Sequence, residues 1–407
     1  MPSRRRYACT LLAASLCGCS GGSTPGAGEN GSQLDPDAAS SGGNTAGDDA
    51  SPSSSGGMSG PGSSSGGPMQ QGDAGGSHPP AGDAGRSTGD SGAGLVTYPP
   101  LRFADIGKAT KLSGQFYFTE GPVWDPVKNV LYFTDIYAHQ GAATGGAVYT
   151  LTLPSTFQVL VGPDGNADGL GLDPQGNLIA AGYGSRSVWR LSGSSAMTVL
   201  APCSGGAGTC YNGKEINTPD DITSRSDGVL YFTDPTFGQS LASGSLSLSG
   251  AQGVYRLTKD GTMHLEDTTS SGPNGVNLSP DEKTLYVAYT SANSVSKFSV
   301  AADGSLGNKT PFASANLADS MCVDAGGNVY VATSGGLEVF SPAGGQALGT
   351  IAVGGDIVTN CAFGGADQTT LFITSHSQST LVGTPTMGSS SLYEVDKMPV
   401  PGIRGQN

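Results

Sequence analysis

One short apolar pattern recurs six times: LYFTD from Leu131, LIAAG from Leu178, LYFTD from Leu230, LYVAY from Leu285, VYVAT from Val329 and LFITS from Leu371. Successive copies start 47, 52, 55, 44 and 42 residues apart. Turn-forming clusters such as DPVKN, DPQGN, SRSDG, SPDEK and DAGGN precede nearly every copy, and no helical periodicity intervenes. Strands at this period predict an all-β propeller with four antiparallel strands per blade, so six copies predict six blades. SLYEVD around Leu392 completes the last blade, and the stretch from Ala104 to Leu112 supplies a strand that closes the ring. The competing architecture, a β-sandwich, needs six ordered matches to be coincidental.

The repeats occupy a region of steady composition that we set at residues 98–407; a self-closed ring predicts a monomer. Ahead of it the chain opens MPSRRRYACTLLAASLCGCSGG. Three arginines before a short apolar run read as an export signal over residues 1–18, too short to span a bilayer. The Leu16-Cys17-Gly18-Cys19 quartet resembles a bacterial lipobox, which implies lipidation of Cys19 and a lipid-anchored protein of the cell envelope. Residues 19–97 are almost wholly Gly, Ser, Pro, Ala, Asp and Asn, a composition that predicts a disordered tether. The GSSSG run at 62–66 matches a nucleophile-elbow pattern but lacks the strand and helix that such a motif needs.

A formal charge of −14 with no basic cluster argues against nucleic acid, and leaves the lipid as the only expected membrane contact. Seven cysteines include Cys203 and Cys210, which flank a glycine-rich loop and are expected to pair in an oxidising compartment. Cys322 and Cys361 sit in strand-like apolar sequence and are expected to be buried free thiols.

In a propeller, equivalent positions of successive blades meet at the central axis. Just upstream of the repeated strands stand Glu120, then Asn166 and Asp168, then Asp220 and Asp221, then Asn274, Asp319 and Asn360. A ring of carboxylate and amide oxygens suits a hard cation, calcium first, with magnesium, manganese and zinc as alternatives. Adjacent like charges repel, so Asp220 is expected to face the cation or a substrate while Asp221 turns away to cap backbone amides. Asn166 joins the substrate-facing set, and Arg186 in GYGSRSVWR is a candidate for holding a substrate hydroxyl or carboxylate.

EGPVWDP at 120–126, NTPDDI at 217–222, GPNGVNLSPDEKTLYV at 272–287 and DSMCVDAGGNVYV from Asp319 resemble the gluconolactonase, senescence marker protein (regucalcin) and luciferin-regenerating family of calcium-dependent six-bladed propellers. The resemblance covers about residues 110–396. It implies that Glu120, Asn274 and Asp319 are metal ligands and that the activity is hydrolysis of a sugar lactone. The chain departs from the family pattern at Asp220, where the family has an asparagine. It departs again at Tyr183, an expected substrate contact where bacterial gluconolactonases often have a histidine, and at Ser320, where glycine is usual. Asp319 or Asp220 is then the candidate general base. Two other readings remain open: a binding propeller with a structural cation, and an esterase or phosphotriesterase whose specificity lies in the loops from Ala138 and Phe237.

Overall fold

A computed structural model of the chain describes residues 97–407 apart from 139–144, 163, 193–195, 206–207, 241–251, 271, 355, 382–384 and 404–407. The signal, Cys19 and nearly all of the tether lie outside the described residues, as do parts of the two specificity loops.

Six four-stranded antiparallel sheets follow one another along the chain. The inner strands are Thr119–Asp125, Ala167–Leu172, Ile222–Ser224, Pro273–Leu278, Met321–Val323 and Ile357–Gly364, and each repeated pentapeptide lies on the second strand of its blade. Alternate side chains of a strand point to opposite faces, and here both faces are buried. Leu131 and Phe133 pack toward the last blade with Trp124 and Phe372, whereas Tyr132 packs toward the second blade with Leu170 and Trp189. Trp124 stacks on Phe372 with centroids 5.7 Å apart. One such apolar cluster fills each of the six clefts between neighbouring blades.

The ring closes by a strand exchange. Thr110–Phe116 forms the outermost strand of the last blade, antiparallel to Ser390–Val395, with Thr110 opposite Glu394 and Phe116 opposite Ser390. This strand begins later than expected, because Phe103–Asp105 is a 3-10 turn and Phe116 is the residue that anchors, edge-on, against Phe133 and Tyr149.

Two disulfides are present among the described residues. Cys203–Cys210 pins the loop that leads into the short hairpin Cys210–Tyr211 and Lys214–Glu215. Cys322 and Cys361, expected as free thiols, are instead bonded to each other. They lie on the inner strands of the fifth and sixth blades, whose close approach brings together residues separated by 39 positions.

Candidate active site

The inner strands of the first, second and fourth blades begin with an irregularity in their pairing. Pairing is interrupted between Glu120 and Val123, between Ala167 and Leu170, and between Pro273 and Val276. Each interruption contains an acid or amide followed by glycine: Glu120-Gly121, Asp168-Gly169 and Asn274-Gly275. The glycines permit the next blade to press close. A Cβ on Gly169 would lie 2.6 Å from the Cα of Asp221, and one on Gly275 would lie 2.5 Å from the Cα of Ser320.

Threonine hydroxyls of one blade then fix the backbone of the next. Thr134 Oγ1 donates to the carbonyl of Asp168 at 2.9 Å, Thr233 Oγ1 donates to that of Asn274, and Thr359 Oγ1 donates to that of Thr119 at 2.9 Å.

Four carboxylates converge within this frame. Glu120, Asp168 and Asp220 are only 4, 7 and 6% exposed. Burial first, and the charges of the other acids second, hold all three well above the usual carboxylate range. Burial likewise pushes Asp319 up to about 7, opposed by a hydrogen bond with the Asn274 side chain. None of the groups bearing most strongly on these four is cationic. The Glu120 carboxylate accepts from the Gly121 amide at 3.1 Å, but no described hydrogen bond reaches the carboxylates of Asp168 or Asp220.

Asp221 is turned away from the axis. Its carboxylate accepts from the amides of Ile222 at 2.9 Å and Val276 at 3.1 Å and pairs with Ser320, and burial pushes it up to about 7. Ser320 Oγ also approaches the Asn274 amide oxygen at 3.4 Å. The serine thus stands beside an expected ligand atom, where glycine would leave a gap.

Residues 118–377 match the SMP-30/gluconolactonase/LRE-like region. The chain belongs to this family. The gluconolactonase of Zymomonas mobilis is 28% identical over 304 residues, spanning 68% of this chain and 81% of that protein. Pentonolactonase XacC of Haloferax volcanii is 28% identical over 263 residues, covering 63% of this chain and 80% of its own length. A solved structure of a gluconolactonase from Xanthomonas campestris superposes with a TM-score of 0.60 at 30% identity, over 72% of this chain and 89% of that one.

In this gluconolactonase-family propeller, Glu120, Asp220, Asn274 and Asp319 come together, and half-buried Tyr183 borders them. Burial first, then Asp220 and Asp168, hold its phenol well above the ordinary range. Phe118, Tyr137 and His376 continue the rim: Phe118 stacks on His376 at 4.6 Å and lies 6.0 Å from Tyr137.

Two expected substrate contacts are placed elsewhere. Arg186 is buried, pairs with Glu215 at 2.8 Å and donates to the carbonyls of Ile216 and Asn217. Its guanidinium is occupied in holding the segment that leads into the third blade. Asn166 adopts a left-handed turn and donates to the Ile136 carbonyl at 2.6 Å. Its neighbour Asp168 reaches the acids instead. Asn360 folds back likewise, its amide oxygen accepting from the Cys361 amide at 2.7 Å. The repeated acid-or-amide–Gly dyad is the sequence signal that separates Asp168 from Asn166.

No three His, Cys, Asp or Glu side chains among the described residues meet at metal-ligand spacing. The candidate donor set here is mixed, two carboxylates with the Asn274 amide, and leaves its remaining positions to water or substrate oxygen. Four acids with no cationic neighbour among the described residues fit a hard divalent cation, because burying unpaired charge is costly.

A pH dependence follows. Asp319 and Asp221 are raised to about 7 and Asp234 to about 8, above the unfolded value of roughly 4. A raised acid contributes stability that is complete below its unfolded pKa and lost as pH rises through the folded one. Chelated protein is therefore expected to melt at a lower temperature at pH 8 than at pH 5, and added calcium to narrow the difference. Equal melting temperatures in chelator would contradict the cluster's charge balance.

Proposed function

We propose that this chain hydrolyses sugar lactones in a reaction that depends on a divalent cation, calcium first. The observation that carries the reading is the convergence of Glu120, Asn274 and Asp319 from the first, fourth and fifth blades onto acids that lack any cationic partner. Family membership and the lactonases similar over most of their length support the same chemistry.

Glu120, Asn274 and Asp319 would hold the cation, which when bound supplies Lewis-acid polarisation of a lactone carbonyl. The remaining roles fall to side chains. Asp319 or Asp220 is placed to take the proton of the attacking water. Tyr183, kept protonated by burial and then by its acidic neighbours, would donate to a substrate oxygen.

The deciding experiment follows hydrolysis of aldonolactones by the purified full chain, with calcium, after chelation and after calcium is restored. Turnover should vanish with chelator and return with calcium. Persistent turnover in chelator would overturn the cation's role, and a folded, calcium-bound protein that hydrolyses no lactone would favour a binding propeller.

The departure at Asp220 gives a second test. Asp220→Asn removes one buried charge, so it should retain or raise lactonase activity while weakening calcium affinity in calorimetry. Loss of turnover with calcium still bound would identify Asp220, rather than Asp319, as the base.

A further inference from the structure

Asp168 is mounted rigidly but has nothing to hold. Its carbonyl is fixed by Thr134 at 2.9 Å, and the backbone of Gly121 packs against it so closely that a Cβ there would lie 2.2 Å from the same oxygen. The residue is only 7% exposed, and no described hydrogen bond reaches its carboxylate. The charges bearing on it are Asp220 first, then Glu120 and Asp319, and it bears in turn on the phenols of Tyr137 and Tyr183 at the rim. It therefore faces the same space as the expected ligands, outside the trio expected to hold the cation.

A buried acceptor without a donor is costly, and a ligand that brings the donor removes the cost. An ionised carboxylate offers acceptor oxygens only, and a protonated one still keeps an oxygen that accepts. Hydroxyl groups, which both donate and accept, complement either form, whereas a phosphate or carboxylate adds negative charge to a group of acids, and Arg186 is already taken up by Glu215 and two carbonyls.

We infer that Asp168 is a specificity residue that accepts a hydrogen bond from a ring hydroxyl, so that the site selects uncharged polyhydroxy lactones over both unhydroxylated and phosphorylated ones. This rests on the lactonase reading and adds the substrate class. A site built around a substrate hydroxyl rejects analogues lacking it far more strongly than an apolar pocket rejects a missing methylene.

The test measures kcat/KM of the calcium-loaded full chain on D-glucono-δ-lactone, δ-valerolactone and 6-phospho-D-glucono-δ-lactone. The first should exceed each of the others by about 10²-fold or more. Asp168→Ala should bring gluconolactone and valerolactone within about tenfold of each other, through a larger loss on gluconolactone. Asp168→Asn keeps the shape, adds a donor, and should narrow the gap to the phosphorylated lactone. Calcium affinity of Asp168→Asn, read by calorimetry, should stay within about threefold of the parent.

Equal turnover of valerolactone and gluconolactone by the parent would overturn the inference and leave the lactonase reading intact. So would undiminished selectivity in both variants, or a fall in calcium affinity as large as that of Glu120→Gln, which would make Asp168 a ligand. Turnover of none of the three would overturn both readings together. If Asp168→Ala fails to fold, the near-isosteric Asp168→Asn still decides the matter.

Discussion

Replacement of Glu120 by Gln is expected to lower lactone hydrolysis by roughly 10³-fold, since several kcal/mol of carbonyl polarisation depends on holding the cation. The same change should make the chelated protein more stable. Glutamine keeps an oxygen for the Gly121 amide, which now donates to Glu120 at 3.1 Å, while removing one of four mutually repelling acids. Calorimetry and steady-state kinetics on one preparation read both effects. A variant that melts lower in chelator yet still turns over lactone would make Glu120 a structural acid and sink the proposed ligand role. The paired result is informative because a merely disruptive substitution does not stabilise the cation-free protein.

The second large effect concerns the bond between Cys322 and Cys361. Both residues are fully buried, on inner strands of neighbouring blades, and separated by 39 positions. Closing a loop of that length restricts the unfolded chain by about 4 kcal/mol in the chain-entropy account. Spread over a folded region of some 300 residues, that corresponds to a melting temperature lower by about 6 °C in the double variant Cys322→Ala/Cys361→Ala. Scanning calorimetry at matched heating rates would measure it, because unfolding of a ring this large is governed by rate as much as by equilibrium. An unchanged melting temperature, with two free thiols titrated in the denatured parent, would return these cysteines to the thiol state expected from sequence.

The contrast between these residues shows what the sequence displays and what it hides. Glu120 stood out because glutamate is a poor turn former lying between FYFT and GPVW, and its neighbourhood is strongly patterned. The second strand of each blade was equally plain, since it is long, apolar and preceded by a turn. The inner strands are not: Ile222–Ser224 and Met321–Val323 are three residues each, too short for a periodic signal. Which of Asn166 and Asp168 faces the axis depends on a local break in pairing, and a shift of one residue moves a side chain to the opposite face. Arg186 read as a free cation because its partner Glu215 and the carbonyls of Ile216 and Asn217 arrive from a different loop. The disulfide was hidden for a related reason. Cys322 and Cys361 become neighbours only when the fifth and sixth blades are set side by side, a relation that spacing along the chain does not encode.

The exchanged strand has a consequence for how such a molecule comes into being. Thr110–Phe116 is synthesised first and Ser390–Val395 nearly last, yet each is the other's hydrogen-bonding partner. At ordinary elongation rates the early strand waits on the order of tens of seconds for its mate. During that interval the growing protein is an open arc with bare edges, the condition that invites pairing with other chains. Loss of the segment from Ser390 onward would therefore do more than shorten the product: it would strand the first-made segment and leave the last blade without its two outer strands.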